Sequence, residues 1–320
     1  MNLIPPAVLL LVVTSLTASL ALTLVITPLL ALLQRIPPRE RMRWVFGLLA
    51  TPLTFGTLVL TLAVGHCAVL RALGVPDDCE GFGGRGCVFC ISGGVAPGAA
   101  AWWVVTFALT PLVLRLAALV RGIWSARRAW QRLRAVARPR PDGGWTIPGA
   151  RAFVVGWPKP TVCIGEELDR ALDRDAIAAV TAHEHAHRSH GDVLLRSLAR
   201  LLAATHLPMV ARPLLGALDL ALEQACDERA TDTVADPLLV ADALLRATRL
   251  QRADGGELGG CASASLDARI EALCAVPSST VLPPSLARAG GAFAMVLVVA
   301  VLLNHEVHRV AEFVSLLLPR

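Results

Sequence analysis

The chain has 320 residues, 55% of them apolar, with 30 Lys and Arg against 25 Asp and Glu for a net charge of +5. Its apolar residues come in long blocks rather than in alternation, which marks a membrane protein. The positive excess flanks those blocks without the aromatic interleaving of a nucleic-acid surface, so a lipid bilayer with anionic headgroups is the expected partner and direct nucleic-acid binding is not expected.

In chain order, the first block covers residues 3–33. No Lys or Arg precedes it and no small-residue cleavage pattern follows, so it is predicted to stay as a span rather than leave as a signal peptide. Blocks at 46–70, 98–120 and 289–303 have about the length that crosses ~30 Å of hydrocarbon, giving four predicted transmembrane helices. Arg35, Arg39, Arg41 and Arg43 lie between the first two, and Arg121, Arg127, Arg128, Arg132, Arg134, Arg138 and Arg140 follow the third. Positive charge stays inside, so both termini are expected outside and the region between the third and fourth spans cytoplasmic, at the inner (plasma) membrane of the cell.

Residues 1–138 thus form an N-terminal membrane region. A linker is expected at 139–150, where Pro139, Pro141, Gly143, Gly144 and Pro148 break helical periodicity. The following domain, 151–280, opens with two short β runs, 152–155 and 161–164, around the turn Gly156-Trp157-Pro158-Lys159-Pro160. Asp173 is the expected N-cap of a helix over 173–190. A Leu-rich stretch, 193–207, fits a helix lying in the membrane interface or one buried in a core. Pro208 and Pro213 are expected to end it, with further helices at 214–234, from Asp236-Pro237 to about Gly255, and at 266–273. The final segment, 281–320, holds the fourth span and a short outer amphipathic tail containing His305-Glu306-Val307-His308. The fold class predicted is mainly α, with a small β-hairpin.

The chemistry concentrates at His183-Glu184-His185-Ala186-His187. Residues four apart stack on one helix face, so His183 and His187 can offer both imidazoles to one metal ion with Glu184 beside them. Catalytic zinc needs a third protein ligand and an open position. The downstream stripe Asp219, Glu223, Asp227 is a costly acidic face in so apolar a chain unless a cation meets it. Glu223, its central member, is the expected ligand, and Asp227 a partner that fixes a ligand histidine's tautomer. His190 shares a face with His187, where solvent contact or capping suits it better.

With Asp192 five positions after His187, and Glu223-Gln224-Ala225-Cys226-Asp227-Glu228 downstream, the chain resembles the BlaR/MecR-type family of membrane zinc peptidases, whose motifs read H-E-x-x-H-x-x-x-x-D and E-x-x-C-D-E. Arg269-Ile270-Glu271 near the domain end agrees with it, as does His206 with Pro208, although the His-to-Pro spacing is shorter than usual. The related CAAX-processing and heat-shock membrane proteases usually read E-x-x-A-D, so Cys226 favours the first family. The resemblance implies a gluzincin-like cytoplasmic domain holding Zn2+ on His183, His187 and Glu223, with Glu184 as general base in peptide-bond hydrolysis. It also implies regulatory cleavage of a winged-helix transcriptional repressor, of the chain itself, or of both. Only residues 304–320 follow the last span, too few for the penicillin-binding sensor domain of such proteins. The chain has no tyrosine, which leaves His206, His190 and Arg229 as candidates for oxyanion or substrate contacts. A quality-control protease of membrane proteins, or a non-catalytic signalling or scaffold protein, are the alternatives.

Cys67, Cys79, Cys87 and Cys90 fall on the outer side, where two disulfides are expected and a metal or redox site is the sharper alternative. Cys163, Cys226, Cys261 and Cys274 are expected as reduced thiols.

Overall fold

The structure is a computed structural model that describes residues 4–72, 99–156, 159–254 and 260–275. Three long helices come first: α1 (Ile4–Leu33), α2 (Pro38–Ala72) and α3 (Ala99–Arg134). Among the described residues, two stretches are long and apolar enough to cross a membrane, Leu11–Leu33 with mean hydropathy 2.2 and Pro38–Thr61 with 1.6. The block expected at 289–303, its tail, and Cys67, Cys79, Cys87, Cys90 and Cys261 lie outside the residues whose side chains are described.

Two boundaries differ from expectation. The arginines between the first two blocks do not form a loop: α2 begins at Pro38, so Arg39, Arg41 and Arg43 occupy its first turns. Proline at a first helical position costs nothing, because its missing N–H has no partner there anyway. Likewise α3 runs through Arg121, Arg127 and Arg128 to Arg134, since strong helix formers carry the helix beyond its apolar part. Gly56 brings α1 and α2 close: a Cβ there would lie 2.9 Å from Ser15 Oγ and 3.0 Å from Leu11 Cδ1. Small residues at helix seams serve this purpose.

The expected hairpin exists but belongs to a larger sheet. Strands β1 (Arg138–Pro139), β2 (Trp145–Ile147), β3 (Ala152–Val155) and β4 (Thr161–Gly165) form a sheet of order β1-β2-β4-β3. β3 and β4 are antiparallel, with Ala152 opposite Ile164, while β2 runs parallel to β4. The stretch expected as a linker thus contributes strands. A left-handed Gly143 turns the chain from β1 into β2, and Trp145 packs edge-on against Trp130 of α3 at 6.1 Å.

After the sheet come α4 (Glu166–Ala171), α5 (Arg174–His190), α6 (Asp192–Leu202), a 3-10 turn (Ala203–Thr205), α7 (Pro208–Val234), α8 (Pro237–Ala253) and α9 (Gly260–Cys274). Pro213 does not end a helix: α7 starts six residues before the expected 214 and contains it. Burying Val210, Ala211 and Leu214 against α1 and α2 outweighs the one backbone bond Pro213 cannot make. α9 likewise begins at Gly260 rather than 266.

Two cores result. One joins Leu22, Ile26, Val45 and Leu49 of the long helices to Ala199, Leu214, Leu218 and Leu222. The other packs Val162 and Ile164 of β4 with Leu168, Ala179, Val180, Ala230 and Val240. α7 is the element common to both.

Candidate metal centre

Local sequence sets up α5. Asp173 caps it by accepting a hydrogen bond from Ala176 N–H at 2.8 Å, and the helix delivers His183, Glu184 and His187 to a buried face. Gly191 ends it in a left-handed conformation, φ 70°, which a residue with a Cβ adopts at a cost. That turn folds Asp192, the first residue of α6, back onto His187.

Across the seam stands α7. Its Glu223 Oε2 lies 3.5 Å from His183 Nε2, and Oε1 lies 3.5 Å from His187 Nε2. The two Nε2 atoms are 3.0 Å apart. His187 Nδ1 is 2.5 Å from Asp192 Oδ2, which commits its ring proton to that carboxylate. His183 Nδ1 is 2.9 Å from Asp227 Oδ1, so that carboxylate faces this side of the ring. Both rings therefore turn a second nitrogen lone pair toward the other and toward Glu223. Two lone pairs and a carboxylate converging on one point call for a cation, and the three ligand atoms lie within 4.8 Å of one another. These residues fit a tetrahedral divalent metal with one position left open.

The electrostatics express the same demand. Burial opposes charge on His187, yet its contacts with Asp192, Cys226 and Glu223 prevail and lift its pKa to about 12. Burial would raise Glu223, but His183, His187 and the Arg269 charge hold it well below the ordinary 4.5. Glu184, 8% exposed, moves the other way: desolvation raises it, against the pull of His183 and His187. A raised, buried carboxylate beside a metal position is suited to moving a proton.

Two arginines complete the site. Arg269 of α9 donates through Nε and Nη2 to Asp227, at 2.8 and 2.7 Å, and its Nη1 lies 3.0 Å from Glu223 Oε2. Arg196 of α6 donates to Glu223 Oε1 at 2.5 Å and faces Asp219 at 3.2 Å. Neither was singled out from the sequence as a site residue. Arg269 sits in the motif Arg269-Ile270-Glu271, and Arg196 falls one helical turn after Asp192, which are the signals that could have pointed to them. The Cys226 thiol lies 3.2 Å from His187 Nδ1, and burial pushes its pKa up to about 11, so it stays neutral. Behind Glu223, Gln224 accepts a hydrogen bond from Arg41 of α2 at 2.8 Å and donates to Ala268 O at 3.1 Å.

The three residues expected to contact substrate fare differently. His206 is not at the centre: its Nε2 donates to Leu49 O at 3.1 Å and its Nδ1 faces Ser19 Oγ at 3.4 Å, both on the long helices. The chain between α6 and α7 carries it away from His187, which sequence distance concealed. His190 is exposed at the edge, 3.9 Å from Cys226 Sγ. Arg229 is exposed on α7 two residues beyond Asp227.

Comparison with curated proteins and with solved structures returned no match for the chain. Residues 134–276, the stretch that holds the sheet, α4 to α9 and the whole centre, match the model of peptidase family M48, which supports a metallopeptidase.

Proposed function

We propose that the chain is a membrane-bound zinc metalloendopeptidase that hydrolyses peptide bonds at the cytoplasmic face. The observation that carries this reading is the opposed pair of imidazoles, Nε2 to Nε2 at 3.0 Å, closed by Glu223. His183, His187 and Glu223 hold the metal; when bound, zinc supplies a Lewis acid that polarises a carbonyl and acidifies water. Glu184 takes the proton of the attacking water and returns it to the leaving amine. Asp192 and Asp227 keep each histidine turned toward the metal, and Arg269 holds Asp227 ionised. The outer strand β3, next to β4 alone in the sheet order, is an edge on which an extended substrate can lie.

The role we assign is regulatory proteolysis of a winged-helix repressor, of the chain itself, or of both, supported by the E-x-x-C-D-E sequence at Glu223 to Glu228. The four-span topology with both termini outside rests on the arginine distribution, and the two apolar stretches support its first two spans. The deciding experiment is elemental analysis of the purified full chain together with hydrolysis of a casein-type substrate. One zinc per chain and activity abolished by chelation and restored by zinc are expected. A metal-free chain that cleaves equally well overturns the reading. An unbiased survey of cleaved proteins in cells then identifies the substrate, a repressor on this reading and damaged membrane proteins on the quality-control alternative.

A further inference from the structure

The segment between the two metal-site helices descends alongside the long apolar helices. From Asp192, α6 runs away from the centre, the 3-10 turn reverses the chain, and α7 returns to deliver Glu223. At the tip, Leu207 N–H donates to Ser19 Oγ at 2.9 Å, and His206 bridges Ser19 and Leu49 O. Ser19 lies within the candidate span Leu11–Leu33, about 12 Å from one end and about 21 Å from the other at ~1.5 Å per residue. Leu49 lies inside the other candidate span, Pro38–Thr61. The tip is therefore level with the interior of both spans.

We propose that α6, the 3-10 turn and the first half of α7 form a re-entrant hairpin whose outer face is covered by lipid acyl chains. This rests on the membrane reading above. Three observations carry it. The outer face exposes large apolar side chains: Leu194 and Leu198 are each 41% exposed and Met209 68%, beside Leu20 and Leu24 of α1 at 60% and 82%, and its exposed charges nearest the tip are Arg200 and Arg212. The inner face is packed, with Ala199, Ala203, Val210 and Leu214 against α1 and α2. The turn's donors also find partners within the protein. His206 N–H donates to Ala203 O, Thr205 Oγ1 to Leu202 O, and Leu207 N–H to Ser19, while Pro208 has no N–H to satisfy. Non-helical backbone persists at membrane depth only on that condition. With Nε2 donating and Nδ1 accepting, His206 has the hydrogen bonding of a neutral ring, which hydrocarbon tolerates. Arg200 and Arg212 sit six residues from the tip on either arm, about 9 Å back toward the cytoplasmic end of the spans, the direction in which long basic side chains snorkel.

Hydroxyl-radical footprinting of the unaltered full chain in phosphatidylcholine–phosphatidylglycerol vesicles tests this. Leu238 of α8, 63% exposed, reports on water, and Leu24 reports on the span. Although a thioether is intrinsically the more reactive group, Met209 should be modified at least about tenfold more slowly than Leu238, with Leu24 protected too. Rapid Met209 oxidation with Leu24 still protected overturns the hairpin and leaves the membrane reading standing. Labelling of both Leu24 and Met209 overturns the membrane reading and the hairpin with it.

Discussion

From Pro208 to Leu222, α7 turns Val210, Ala211, Leu214, Leu218 and Leu222 toward α1 and α2 and makes an apolar seam. From Glu223 to Asp227, the same helix turns Glu223 and Asp227 toward α5 and α9 and makes a seam of buried charge, with Asp227 only 2% exposed. The first half is held by area removed from water, which is non-directional and forgiving of shape. The second is held by ion pairs whose desolvation must be offset atom by atom, so it holds only while every partner is present. One helix thus couples a tolerant anchor to an exacting site, and the position of Glu223 depends on both.

Variants can separate the two halves, beginning with the largest effect. Glu184→Gln should lower peptide hydrolysis by about 10³-fold with zinc content unchanged, as read by turnover and elemental analysis; retained turnover would remove Glu184 from the chemistry. Arg269→Met leaves Asp227 buried without its cation and should cost about 3–5 kcal/mol in thermal unfolding. Burial opposes ionisation of Asp227, but Arg269 and His183 outweigh it and depress the carboxyl below its ordinary 3.8. A depressed acid contributes stability that is complete above pH 3.8 and is lost as pH falls through the lower folded value. The gap between parent and Arg269→Met in chelated protein should therefore close below that pH; a gap independent of pH would break the assignment of charge to this half.

On the other half, Leu218→Ala removes a side chain 1% exposed and should cost about 2–5 kcal/mol in unfolding. Its zinc dissociation constant should stay near the parent value, and a large loss of affinity would show that the halves are not separable. Smallest is Asp192→Asn, which keeps the shape but weakens the hold on His187. Zinc affinity should drop by about 10–100-fold in competition with a chromophoric chelator, with unfolding little changed.

Much of the site was legible because it is local. The four-residue spacing of His183 and His187, the Asp173 cap and the paired β runs follow from periodicities of 3.6 and 2 that neighbouring residues impose on one another. The acidic stripe was equally visible as a stripe. Local spacing cannot tell which of its members meets the histidines, because Asp219, Glu223 and Asp227 share a face; only the packing of α7 on α5 and α6 places Glu223 between the rings and Asp219 on Arg196. Arg269 was read as part of a motif rather than as a partner of Asp227, 42 residues away in sequence. His206 shows the reverse error: it lies between the two motifs in sequence, yet the excursion of α6 and α7 ties it to Ser19 and Leu49.

The sequence by itself determined the apolar blocks, the helix that carries the histidines and the chemical types gathered for a metal, since these depend on composition and short-range spacing. The tertiary structure alone decided which carboxylate faces which imidazole, that α2 and α3 run on through their arginines, and that Pro213 lies within a helix. Those outcomes turn on burial and on contacts between residues far apart in the chain, where a few kcal/mol of packing outweighs local preference.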